Sequence, residues 1–129
     1  MKGYTLFAGD LARIGAVETP APRKNRATAG RTALQRWTAN IPLTGRAMAL
    51  AGDVLFVAGT PVAFPEDDLA GAYEGRLGGM LWAVSASTGE KLAEYELDAA
   101  PVWDSIAVAQ GHLYIATQDG NLHCFAERR

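Results

Sequence analysis

Residues 111–125 read GHLYIATQDGNLHCF and hold both histidines and the single cysteine of the 129-residue chain. A histidine beside a cysteine has the makings of a nucleophile–base pair or of two metal ligands, so catalysis would first be sought at His123 and Cys124. The surrounding alternation reads as two strands joined by a two-residue Asp119-Gly120 turn, which sets Ala116 opposite His123 and Ile115 opposite Cys124. Neighbours on a strand point to opposite faces, so this pair cannot act on one substrate. His112 falls on the same face as His123 but four positions further from the turn, roughly 13 Å away at about 3.3 Å per residue. The two histidines therefore do not share a metal, and Cys124 is expected to be a small buried apolar residue. One cysteine also excludes an internal disulfide framework.

Three other groups could carry chemistry. Glu66, Asp67 and Asp68 are candidate oxygen ligands for a hard cation such as calcium, but the glycine and spaced ligands of a calcium loop do not follow them. A solvated acidic turn is the plainer expectation, and no metal site is assigned. Arg23, Lys24, Arg26 and Arg31 could touch phosphates. They lack interleaved aromatics and sit in a proline-rich stretch that reads as a linker, so nucleic acid is not an expected partner. Trp103 and Asp104, in APVWDS, lie in the connection leading into a strand and are the candidate binding residues. No catalytic or cofactor-binding residue is assigned.

The elements that would hold these residues are short. About half of the residues are hydrophobic and the formal net charge is −2, values of a chain that can bury a core and is not steered towards polyanions. The opening MKGYTLFAGDLARIG lacks the long uncharged core of an export signal, and no apolar run approaches the roughly 20 residues that span a bilayer. Residues 1–33 read as an N-terminal segment with a basic linker. From Leu34 onward, alternating runs such as DVLFVAG, GMLWAVSA, KLAEYEL and HLYIATQ recur between turn signals, the pattern of an antiparallel all-β meander. Thr88, Gly89, Asp119 and Gly120 are the expected turn residues.

The chain also resembles itself. Shifted by 58 positions, LQRWTANIPLTGRAMALAGDVLFVAGT lies over LAEYELDAAPVWDSIAVAQGHLYIATQ without a gap, pairing Trp37 with Tyr95 and Phe56 with Tyr114. Beyond that block GGMLWAVSA matches DGNLHCFAE once an insertion at 61–77, PVAFPEDDLAGAYEGRL, is set aside. The remaining period of roughly 40 residues is that of a four-stranded propeller blade. In the insertion Leu69, Tyr73 and Leu77 recur every four residues, which allows a short helix.

Ala83, Thr88, Gly89, Gly111, Leu113, Tyr114, Ile115, Asp119 and Gly120 fall on the blade signature of the pyrroloquinoline-quinone (PQQ) type, or quinoprotein-like, β-propellers, and residues 79–125 resemble that family most closely. Ser85 stands where the signature has Asp, and Ala93 where it has the tryptophan that docks neighbouring blades. The resemblance implies about two four-stranded blades at residues 34–129, the C-terminal part of a larger propeller, and a periplasmic or secreted parent. Two blades cannot close a ring, so the expected partners are further blades, another protein chain or copies of this one. Quinoprotein dehydrogenases hold PQQ above calcium in a central funnel beside paired cysteines, a set this chain lacks. The expected function is a non-enzymatic scaffold or binding module for a protein or peptide, without cofactor. The alternatives are a fragment of a PQQ-dependent dehydrogenase, needing PQQ and calcium, or carbohydrate or calcium binding through the insertion and Trp103.

Overall fold

The computed structural model describes residues 3–9, 35–62, 69–74 and 76–126. These form an all-β structure of three antiparallel sheets. The first sheet pairs β1 (Thr5–Gly9) with β2 (Gln35–Asn40). The central sheet is a meander of β3 (Leu43–Ala51), β4 (Val54–Pro61), β5 (Gly79–Ser85) and β6 (Lys91–Leu97). The last is a meander of β7 (Pro101–Ala109), β8 (His112–Thr117) and β9 (Leu122–Ala126). Between β4 and β5 lies a six-residue helix, α1 (Leu69–Glu74). Glu66, Asp67, Asp68 and the basic residues Arg23, Lys24, Arg26 and Arg31 lie outside the described residues.

Burial explains the stacking. The run VLFVAGTP in β4 is apolar at successive positions, as a strand covered on both faces requires. On one side Leu43, Val57 and Val84 of the central sheet meet Leu6 and Ile41. On the other, Ala58, Leu81 and Leu97 meet Leu113 and Ile115. The first and last sheets thus cover opposite faces of the central one, and β3 runs beside β7 where the central and last sheets adjoin. Thr5–Gly9 belongs to this stack, although its stretch of sequence reads as a tail.

The central and last meanders are built in one register. Ala58 pairs with Leu81, Val57 with Trp82, Phe56 with Ala83 and Leu55 with Val84. At the same offsets Ala116 pairs with Leu122, Ile115 with His123, Tyr114 with Cys124 and Leu113 with Phe125. The strand β7 begins and ends 58 residues after β3. The difference is one strand: β6 completes the central sheet, whereas β9 is the edge of the last.

At the first seam Trp37 of β2 lies against the β5–β6 turn and donates its indole N–H to the Ala86 carbonyl at 2.8 Å. Gly89 occupies that turn at φ 80°, and a Cβ there would fall 2.5 Å from the Trp37 ring. Only glycine fits both the backbone and the ring. Thr88, in the same turn, accepts from the Glu90 amide through its hydroxyl at 3.3 Å. At the second seam Tyr95, 58 residues after Trp37, packs on Phe125 with ring centroids 5.7 Å apart. Ala93 does not leave that seam without an aromatic.

The hairpin at Asp119 corrects the two-residue reading. Thr117 N–H donates to the Asn121 carbonyl at 2.9 Å and Gly120 N–H to the Thr117 carbonyl at 3.1 Å, with Gly120 at φ 86°. The loop is therefore Gln118-Asp119-Gly120, a turn followed by a left-handed glycine. That added residue shifts the pairing by one and exchanges the faces of β9. His123 now sits opposite Ile115, on the face towards the central sheet, and Cys124 opposite Tyr114, on the face away from it. Cys124 is exposed, not buried, and Leu122 beside it on this face is exposed as well. His112 pairs with Ala126 and so lies on the opposite face from His123.

Candidate functional site

Two irregular strands bring the first site together. Gly45 pairs with Gly59 and Ala47 with Ala58, so Arg46 is an extra residue on β3. On β7 the register slips between Pro101 and Ile106, and Asp104 sits there at φ 54°. Bulges re-aim side chains, and these two turn Arg46 and Trp103 towards each other across the β3–β7 seam. The guanidinium carbon of Arg46 lies 5.3 Å from the centre of the Trp103 ring, within cation–π range. Arg46 Nη1 donates to the Pro101 carbonyl at 3.4 Å. Gln118, with its amide oriented to satisfy both neighbours, accepts from the same Nη1 at 3.1 Å and donates to the Glu74 carbonyl at 2.9 Å. Arg46 is buried at 7% exposure, while Trp103 is 60% exposed. The arrangement is an indole plate resting on a fixed cation, with the rest of the ring open to a ligand.

Trp103 and Asp104 are thus not on a connection. They lie within β7, on its bulge. Arg46 carries no local sequence signal beyond being a charge in the otherwise apolar alternation of LTGRAMALA.

The hairpin holds a second polar group. The Thr117 hydroxyl donates to Asp119 Oδ1 and lies 3.1 Å from His123 Nε2. One hydroxyl carries one hydrogen, so with that hydrogen on Asp119 the histidine nitrogen is the donor to Thr117. Asp119 Oδ1 also accepts from the Asn121 amide at 3.2 Å, and Oδ2 from the Asn121 side chain at 3.0 Å. The Thr117 hydroxyl is the main cause holding the Asp119 carboxyl below its ordinary pKa; the Asn121 contacts act in the same sense. Every partner lies within the hairpin, so the group fixes the turn. Cys124 faces away from His123, and among the described residues no three His, Cys, Asp or Glu side chains converge to hold a metal.

The third feature is a surface. The face of the last sheet away from the central one carries Tyr114, Ala116, Leu122 and Cys124. In the central sheet the residues in the same register are Phe56, Ala58, Leu81 and Ala83, and they are covered. Leu81 is 1% exposed and Leu122 is 70% exposed. One meander is sealed where the other is open.

Family models, curated proteins and solved structures contain no match to this chain.

Three features of the described residues can act: an aromatic plate, an outward sheet face on which Leu122 and Cys124 are exposed and Tyr114 and Ala116 half-buried, and the edge of β9, with which no described strand pairs. No helix among the described residues is long and apolar enough to cross a membrane. Trp82 lines none of these features; it packs at the first seam, with the Lys91 ammonium 4.6 Å from its ring centre.

Proposed function

We propose that the chain is a non-enzymatic scaffold or binding module of β-propeller type, akin to the PQQ-like repeats, which engages a protein partner through the outward face of its last sheet. The observation that carries this reading is the contrast between Leu81 and Leu122, two leucines in one register of which only the first is covered. A largely apolar sheet face gains from burial roughly in proportion to the area removed from water, and further blades or another chain would supply the cover. The resemblance to PQQ-like repeats is taken to bear on architecture and not on a reaction, because His123 and Cys124 point to opposite faces.

A photo-crosslinking residue at position 122, compared with one at Thr38 on the exposed side of β2, tests the reading in extracts of the source cells. A specific protein adduct at 122, abolished by Tyr114→Glu in a chain that keeps its far-ultraviolet spectrum, is the expected result. Equal labelling at both positions would sink it.

The exposure of Trp103 favours a second, lesser reading, in which its ring is a platform for a carbohydrate or a peptide aromatic. Trp103→Ala would then remove binding to a glycan array or peptide panel and leave the crosslink at position 122 unchanged.

A further inference from the structure

We infer that the free edge of β9 is a docking site for an extended peptide segment of a partner protein, which adds antiparallel to β9 as a fourth strand of the last sheet. The inference rests on the binding-module reading and specifies how the partner engages. Three observations carry it.

The first is the shared register. Through four paired positions the last sheet follows the central one, and among the described residues no strand pairs with β9 as β6 pairs with β5. The second is the chemistry of the two edges. The edge strand β6 reads KLAEYEL and carries Lys91, Glu94 and Glu96, with Lys91 and Glu94 ion-paired at 2.7 Å. Charges of this kind keep an exposed edge from pairing. The edge strand β9 reads LHCFA and has no Lys, Arg, Asp, Glu or Pro within it. One edge is guarded and the other is left ready to pair. The third is a cavity of about 390 Å³ between the central and last sheets, with Tyr95, Phe56, Leu81, Val108, Leu113 and Phe125 in its wall. It lies alongside β9.

These features set the chemistry of the occupant. Alternate residues of β9 turn N–H and C=O groups away from β8, so main-chain hydrogen bonds hold the incoming strand whatever its sequence. Its side chains alternate between the cavity and the outward face. The partner segment is therefore extended, free of proline, and apolar or aromatic at every second position, so that one row fills the space beside Tyr95 and Phe125. Charge on that row is excluded by the apolar wall.

The peptide EKLAEYELDAA, which is β6 with its flanks, is a suitable probe when it adds one residue out of the register that β6 itself keeps, because its alanine, tyrosine and second leucine then form the row that faces the cavity. Calorimetric titration of the full chain should show saturable 1:1 binding, and hydrogen exchange should slow at Leu122–Ala126 and not at Lys91–Leu97. Replacing the peptide tyrosine by alanine should weaken binding about tenfold, as the loss of one buried aromatic side chain predicts. N-methylation of alternate peptide amides should abolish binding in one of the two phases. The variant Thr38→Glu, on the exposed side of β2 and remote from β9, should keep the affinity within about twofold, since surface changes remote from a contact are nearly neutral, whereas Leu122→Glu puts a charge on the docking edge itself and should weaken binding. No binding, equal binding of a scrambled peptide, or protection spread over β6 would overturn the inference. So would a stable dimer through β9 that the peptide does not dissociate. If the peptide fails while the crosslink at position 122 persists, strand addition falls and the module reading stands.

Discussion

Leu81 and Leu122 occupy the same register in two neighbouring meanders, at 1% and 70% exposure, and truncating each to alanine separates buried from open sheet in one experiment. Each substitution removes three carbons. At about 0.8 kcal/mol per buried carbon, the transfer loss at Leu81 is about 2.4 kcal/mol. The cavity left between Ala58, Leu97 and Leu113 adds to it, because β4 and β8 are held by their ladders and collapse only in part, so the total falls at about 3–4 kcal/mol. At Leu122, 70% exposed, about a third of the transfer loss remains, under about 1 kcal/mol, with no cavity to add. Urea denaturation followed by circular dichroism should give midpoints that differ accordingly, at equal slopes. A loss at Leu122→Ala above about 2 kcal/mol would refute the reasoning, since a side chain loses that much only when it is covered. Repeating the measurement over a hundredfold range of protein concentration would show whether the cover is another copy, because self-association makes the midpoint concentration-dependent.

Three further outcomes are expected. Gly89→Ala places a methyl 2.5 Å from the Trp37 ring at a left-handed backbone position, and should cost about 2–3 kcal/mol in the same denaturation assay, with the emission of Trp37 shifted to the red. The pH dependence of Asp119 has a definite sign. Its folded pKa is depressed, so its contribution is present above the unfolded value of about 3.9 and is lost as pH falls through the folded value. The stability gap between the parent chain and Asp119→Asn should accordingly be constant near neutrality and close only in acid, below about pH 4. Cys124, exposed on the outward face, should react with a thiol reagent in the folded chain, and reaction only after unfolding would contradict its placement.

Much of the architecture is legible in the sequence because strand periodicity is a local property. The alternating runs, the turn glycines and the 58-residue self-match mark β2 to β9, and the four-residue spacing in the insertion marks α1. The hairpin register is less accessible. Asp-Gly suits a two-residue turn, but Gly120 in the left-handed region can also end a three-residue loop, and the choice is made by Thr117, whose hydroxyl joins Asp119 to His123. A slip of one residue then moves Cys124 and Leu122 to the open face. The strand Thr5–Gly9 is hidden because its partner, β2, follows only after a long intervening stretch. The pairing of Arg46 with Trp103 is hidden for a similar reason: it depends on two bulges in strands that meet only through sheet stacking.

The position of Arg46 also orders events in time. Each meander consists of neighbours in sequence, joined by tight turns except where the insertion with α1 separates β4 from β5, and such contacts form early because little chain entropy is lost in closing them. The Arg46 contact to Pro101 spans 55 residues and ties β3 to β7, while Gln118 links the same guanidinium to the end of α1. It can form only when two finished sheets meet. A side chain of this kind acts as a late rivet, so Arg46→Met should leave the refolding rate nearly unchanged and accelerate unfolding, the kinetic mark of a contact absent from the transition state. The persistence of the stack is then governed by how slowly that seam opens, and the speed of folding by the meanders on either side.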